Sequence, residues 1–334
     1  MKALVTGAKG FAGSHLIDHL LASGIEAVGL DQPFCDGSNV SHLGASVRLL
    51  DINVLDARAL AQTIARERPD LIFHLAGQAA VSRSWQDPED TFACNVVGQL
   101  NIFRAVIQAD INPLNLVVGS EEEYGLVEDE SPIPEDAPLR PLNPYGVSKV
   151  AQDLLGYQYF RSHGLRSVRV RPFSHLGPRQ SDAFVASAFA RQVAECEAGL
   201  TAPVLRVGNL EARRDVTDVR DMVRAYALAL LRARPGEVYN LGAGRSVRIQ
   251  EILDFYLQRA RCPLKVERDP ARFRPIDVPP RTCDSTKFRQ ETGWAPVIPL
   301  DQTLADTLEH WRERIRTVGH PGAVGKQAES RKGL

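Results

Sequence analysis

Tyr145 and Lys149 stand four residues apart in Asn143-Pro144-Tyr145-Gly146-Val147-Ser148-Lys149. On a helix this spacing puts both side chains on one face. A phenol with an ordinary pKa of about 10 exchanges its proton poorly at neutral pH. An ammonium one turn away favours the phenolate and makes the hydroxyl a usable proton donor and acceptor. Alone, the pair fits a solvated helix face better, because this spacing recurs by chance in many proteins. Ser120 adds a third element. It follows the apolar run at 116–119 and leads into Glu121-Glu122-Glu123. Its hydroxyl can bond the oxygen that Tyr145 protonates. Glu122 reads as a base or as an acceptor for a sugar hydroxyl. Glu121 and Glu123 read equally well as a solvated acidic loop. The candidate catalytic residues are therefore Ser120, Glu122, Tyr145 and Lys149.

A second set lies in Thr6-Gly7-Ala8-Lys9-Gly10-Phe11-Ala12-Gly13. Gly7 suits a tight turn, Gly10 a close approach to a pyrophosphate, and Gly13 close helix–strand packing. N–H groups at the following helix start, at Phe11 and Ala12, would hold the phosphates. The bland alternative is a plain turn between a strand and a helix. Asp31 tips the balance, because it ends the next strand about 20 residues on, where a ribose-binding acid is expected. Asp51 and Ile52 end the third strand and can frame an adenine. The Asp31 carboxylate suits both ribose hydroxyls of NAD and repels the 2′-phosphate of NADP. Gln32 and Pro33 offer no cation, although Lys9 would if it swung over the ribose. The cofactor expected is NAD(H), with NADP(H) left open.

Elements of known period must hold these groups. Strands are predicted at 3–6, 27–30, 47–50, 71–75, 114–118 and 167–170, and helices at 14–22, 57–66, 91–109 and 145–163. Such alternation implies an α/β fold, a doubly wound parallel sheet of Rossmann type. Beyond Pro172 the pattern loosens. Helices are predicted at 184–197, 222–231, 249–261 and 304–314, and strands at 204–207 and 238–241. We divide the chain into a dinucleotide-binding domain at 1–172 and a smaller α/β lobe at 173–316. Late segments of the lobe return to the first domain, and a disordered tail occupies 317–334.

Composition narrows the class. Forty Lys and Arg face 41 Asp and Glu for a net charge of −1, which argues against nucleic acid as a partner. Hydrophobic residues make up 44% and charged residues 24%, as in an ordinary globular protein. The five cysteines include no CxxC pair, which argues against a disulfide scaffold or a metal site. No secretory pattern opens the chain and no apolar run suits a membrane span. A cytoplasmic protein is expected.

Taken together, TGAKGFAG, the acid after the second strand, Asp51-Ile52, HLAGQAAV at 74–81, Asn95, Ser120 and YGVSK resemble the extended short-chain dehydrogenase/reductase family. The resemblance covers residues 1 to about 315. GSEEEYG, LRPLNPYGVSK, VGNLEARRDVTDVRD and RFRPIDVPP look most like its GDP-4-keto-6-deoxymannose reductases, with the GDP-mannose 4,6-dehydratases next. It implies hydride transfer to the C4 keto group of a GDP-linked deoxyhexose, a proton from Tyr145, and GDP-D-rhamnose as product. It also implies cofactor contacts at Leu75, Ala76, Gly77, Asn95 and Pro172. Substrate contacts are implied at Ser84, Ser174, Val185, Asn209, Arg214, Arg274 and Asp277, with Arg214 and Arg274 gripping the diphosphate. A homodimer through helices 91–109 and 145–163 is implied as well. Ser174 departs from the Asn usual in relatives, and Glu121 from their Ser. Ser187 and Ala188 replace the basic residues of dehydratases. Arg213 is expected to be solvated and Trp85 in the core; His175 reads as a substrate contact or a structural residue. A dehydratase, a 4-epimerase acting on another nucleotide sugar, and a non-catalytic sensor are the alternatives.

Overall fold

In a computed structural model the chain is described over residues 1–127, 131–272 and 280–318. In chain order, the first part runs β1 (Lys2–Thr6), α1 (Phe11–Ala22), β2 (Glu26–Asp31), β3 (Arg48–Asp51), α2 (Ala57–Glu67), β4 (Leu71–His74), α3 (Val81–Gln86), α4 (Pro88–Phe92), α5 (Gly98–Gln108), β5 (Leu114–Val118), α6 (Pro144–His163) and β6 (Ser167–Pro172). There follow β7 (His175–Leu176), α7 (Val185–Glu197), β8 (Val204–Val207), β9 (Arg213–Asp215), β10 (Thr217–Asp218), α8 (Val219–Arg232), β11 (Val238–Leu241), β12 (Ser246–Arg248), α9 (Ile249–Arg259), β13 (Lys265–Arg268), α10 (Thr286–Thr292) and α11 (Leu300–Val318).

Seven strands form one parallel sheet in the order β11-β6-β5-β4-β1-β2-β3. Its central strands are buried on both faces, as parallel strands covered by helices must be. One apolar cluster joins β1, α1 and α8; another joins α2, α5 and the opposite face of the sheet. The order reverses between β1 and β4, so ligands are expected where those strands end. A separate cluster fills the region of α7, β8, α9 and α11. β11 lies far beyond Pro172 in sequence, yet it pairs with β6, and α8 packs on α1.

Local signals explain the helix that matters most. Asn143 accepts a hydrogen bond from the Gly146 N–H at 2.8 Å and caps α6. Pro144 starts the helix, and Gly164 ends it in the left-handed conformation. The predicted helix at 91–109 is instead α4, a π-helical turn at Ala93–Val97, and α5. The π segment is only five residues long, too short to leave a periodic signal of its own in the sequence. α11 extends to Val318, and the Thr317 hydroxyl donates to the Glu313 carbonyl at 2.9 Å. Thr317, assigned above to the tail, is therefore helical; 319–334 lie outside the described residues.

Candidate active site

The phosphate turn closes against the strand beside it. Gly7 has φ +69°, and a Cβ there would stand 2.7 Å from the Ala76 nitrogen. A Cβ on Gly13 would stand 2.0 Å from the Gly7 carbonyl oxygen. Both positions therefore exclude a side chain. Gly10 is the N-cap of α1, with no side-chain cap and no acid in the first turn. The N–H groups of that turn are left for an outside anion, which fits a cofactor diphosphate. The Thr6 hydroxyl accepts from the Ala76 N–H at 3.1 Å and shares a 2.8 Å hydrogen bond with His74 Nδ1, tying the β1 and β4 loops together.

Asp31 accepts from the Lys9 N–H at 2.8 Å and from the Gln32 N–H at 2.9 Å. Lys9 Nζ is bound at 2.7 Å to Asp51. Asn95 sits in the π-helical turn. It accepts from the Gln78 N–H at 2.9 Å and donates to the Gln78 carbonyl at 3.2 Å and the Ser148 hydroxyl at 2.9 Å. Asn95 thus joins the loop holding Leu75, Ala76 and Gly77 to α6.

Ser120 begins a short 3-10 turn, Glu121–Glu123. Its hydroxyl accepts from the Glu122 N–H at 3.2 Å, and Glu123 Oε1 accepts from the Ser120 N–H at 2.8 Å. This reciprocal capping box fixes the serine, and its side chain lies near enough to Tyr145 to lower the pKa of that hydroxyl. Burial raises the Tyr145 pKa well above its ordinary value; Ser120 opposes this, while Glu122, Glu123 and Glu121 add to it. Lys149 Nζ lies 5.7 Å from the centre of the Tyr145 ring. It donates to the Val118 carbonyl at 2.9 Å and to Gln152 Oε1 at 2.8 Å. Burial lowers its pKa to about 8, against the pull of Glu123.

The three glutamates are buried, at 5%, 7% and 0% exposure. The solvated acidic loop considered for Glu121 and Glu123 is therefore not what forms, because buried arginines neutralise the turn. Arg171 lies 3.0 Å from Glu123, and Arg281 Nη2 lies 3.0 Å from Glu122. Arg171 also binds Asp153, at 2.8 Å through Nε and 2.5 Å through Nη2, and Arg169 binds the other Asp153 oxygen at 2.7 Å. Burial and Asp153 raise the Glu123 pKa well above the ordinary value, while Arg171 opposes them.

Substrate candidates meet different fates. The Ser174 hydroxyl donates to Glu121 Oε1 at 2.7 Å and the Ser84 hydroxyl to the Val81 carbonyl at 2.7 Å. Val185 is exposed at the start of α7, and Asn209 accepts from the Glu211 N–H at 2.9 Å. Arg214 lies on β9, half-buried, and donates to the Arg213 carbonyl at 2.6 Å. Arg213 is half-buried on the same strand rather than solvated. Pro172 ends β6. Arg274 and Asp277 lie outside the described residues. Trp85 is 48% exposed and does not belong to the core, because α3 turns it outward. His175 stacks on Phe11, with ring centres 5.8 Å apart and planes 9° apart. Arg281, Asn143 and the Asp153–Arg171 pair escaped the sequence reading; single charged residues far apart in sequence carry no periodic signal.

Known proteins share the sequence pattern and the fold. The family model described as GDP-mannose 4,6 dehydratase matches residues 4–307. A GDP-6-deoxy-D-mannose reductase from Pseudomonas aeruginosa is 33% identical over 316 residues, covering 94% of this chain and 98% of the relative. The structure of RMD from Pseudomonas aeruginosa complexed with NADPH superposes with a TM-score of 0.81 at 32% identity, covering 94% and 99% of the two chains. A Thermus thermophilus UDP-glucose 4-epimerase in complex with NAD gives a TM-score of 0.83 at 30% identity, covering 93% and 99%.

Proposed function

The chain belongs to the GDP-mannose 4,6 dehydratase family, and on that premise we propose that it reduces the C4 keto group of GDP-4-keto-6-deoxy-D-mannose to give GDP-D-rhamnose. A bound reduced nicotinamide supplies the hydride. Gly7, Gly10, Phe11, Ala12 and Gly13 would hold its diphosphate, and Asp31, Asp51, Ile52, Leu75–Gly77, Asn95 and Pro172 its remaining parts. Tyr145 gives its proton to the C4 oxygen as hydride adds to the C4 carbon. Ser120 orients that oxygen and the Tyr145 hydroxyl. Lys149 favours the phenolate left behind. Arg214, with Arg274, would receive the diphosphate of the substrate.

The observation that carries this reading is the likeness, over 94% of the chain, to a GDP-6-deoxy-D-mannose reductase, together with the gathering of Ser120, Tyr145 and Lys149 at the turn after β5 and the start of α6. Burial raises the Tyr145 pKa, in keeping with a group that gives a proton. The dehydratase remains the second reading because Glu122 lies close enough to Tyr145 to act on its charge. Incubation with GDP-mannose alone separates the two. Loss of water without added reduced cofactor would overturn the reductase; consumption of NADH with the 4-keto sugar nucleotide supports it.

Two further expectations follow. Lys149 is an ammonium below about pH 8 and loses its charge above it. The kcat/KM for reduction is therefore expected to fall as pH rises through about 8. A flat profile up to about pH 10 would contradict the role given to Lys149. For the cofactor we read NADH as favoured, since Asp31 stays at the ribose edge while Asp51 occupies the Lys9 ammonium. Asp31→Ala is expected to lower the preference for NADH over NADPH by about tenfold, equivalent to ~1.4 kcal/mol. Equal kcat/KM ratios in the two proteins would remove Asp31 as the discriminating group.

The assembly read here is a homodimer. Val147, Leu154 and Tyr157 are exposed on α6, and Val97 just before α5. Apolar exposure of this kind on neighbouring helices suits a second copy. Among the described residues no helix is long and apolar enough to cross a membrane. With five free cysteines, we place the protein in the cytoplasm.

A further inference from the structure

Arg281 lies in the loop between β13 and α10 and is 3% exposed. Its side chain crosses to the turn after β5. Nη2 stands 3.0 Å from Glu122 Oε1, and Nη1 donates to the Glu121 carbonyl at 2.8 Å. Nε stands 3.8 Å from Glu121 Oε2. From the opposite side, Asn143 Nδ2 donates to Glu122 Oε2 at 3.0 Å. Asn143 is itself fixed, since its Oδ1 caps α6. One Glu122 oxygen therefore sits against the Arg281 cation and the other accepts from Asn143, so the two contacts come from separate elements.

We propose that Arg281 is a positioning residue that pins the Glu122 carboxylate as a fixed hydrogen-bond acceptor for a hydroxyl of the bound sugar. The proposal rests on the reading of this cleft as a sugar-nucleotide site. A carboxylate has about four lone-pair positions, more than the Arg281 and Asn143 contacts take up. The guanidinium holds the carboxylate plane, and charge-assisted contacts are stronger than neutral ones. A freely rotating glutamate would lose side-chain entropy when it bound a sugar; a pinned one has lost it already. Arg281 also carries the geometry of the second half of the chain into the β5 turn, so the two must pack together before Glu122 is aimed.

The test is a double-mutant cycle on GDP-mannose affinity, read by titration calorimetry. Arg281→Leu is expected to weaken binding about tenfold, and Arg281→Lys to restore most of it. In a Glu122→Gln background, Arg281→Leu is expected to cost almost nothing more, because both changes strike one contact. With the 4-keto sugar nucleotide the Arg281→Leu loss is expected to fall on KM more than on kcat. Additive losses, or unchanged affinity in Arg281→Leu, would overturn the proposal. If Arg281→Leu fails to fold, judged by lost NADH binding, Arg281→Gln, which keeps a neutral donor and removes the charge, completes the same cycle. If the wild-type protein reduces no 4-keto sugar, the reductase reading fails while the affinity cycle still decides the role of Arg281.

Discussion

Tyr145→Phe is expected to lower kcat/KM for the 4-keto sugar nucleotide by about 10³-fold, the usual scale for removing a positioned proton donor. The fall is expected in kcat, with NADH affinity nearly unchanged. The phenylalanine keeps the ring at the start of α6 and removes only the hydroxyl on which Ser120 acts. The two partners of Lys149, the Val118 carbonyl and Gln152, do not involve that oxygen, so the ammonium stays in place. Single-turnover rates and a cofactor titration on the same preparation separate chemistry from binding. Wild-type turnover in this variant would remove Tyr145 as the acid. A variant that lost cofactor affinity and turnover together would point to a disturbed α6.

The largest stability effect is expected at Asp153. It is 1% exposed and binds Arg169 through one oxygen and Arg171 through the other. Arg171 is 4% exposed and also contacts Glu123, the Tyr124 hydroxyl at 3.0 Å and the Glu135 carbonyl at 3.0 Å. Asp153→Ala leaves two buried guanidinium groups short of a partner, and such a loss typically costs about 3–5 kcal/mol. Urea denaturation of the two proteins measures it. A loss below about 1 kcal/mol would mean that Glu123 takes over as the counter-ion. The same experiment reports on the site, because Glu123 fixes the Ser120 N–H. A Glu123 that moves towards the arginines releases the serine, so turnover is expected to fall along with stability.

The groups of the site that were legible in sequence are those whose spacing is local. Gly7, Gly10 and Gly13 share one turn, and Tyr145 and Lys149 share one helix face. The strands β5, β8 and β11 are found at the predicted residues because each is a short apolar run between breaking loops. What stayed hidden depends on tertiary contact. Glu121–Glu123 reads as a solvated run until Arg171 and Arg281 are seen to bury it. Ser174, taken for a substrate donor, already spends its proton on Glu121. The π-helical turn around Asn95 is too short to show as a period in the sequence, and it holds one polar side chain buried. α8 begins earlier than its apolar pattern suggests because Asp218 accepts from the Arg220 N–H at 2.7 Å and starts it.

The placement of β11 has a consequence for how the chain reaches this state. The sheet acquires its seventh strand only after the ribosome has added α7, β8 and α8, and Met222, Val223 and Tyr226 of α8 complete the apolar cluster around β1. Until then β6 has an open edge, and parallel edges of this kind recruit other chains. Contacts so distant in sequence also slow the search for the native pairing. The first 172 residues are thus a set of elements awaiting closure, and their assembly is gated by the synthesis of the half that follows.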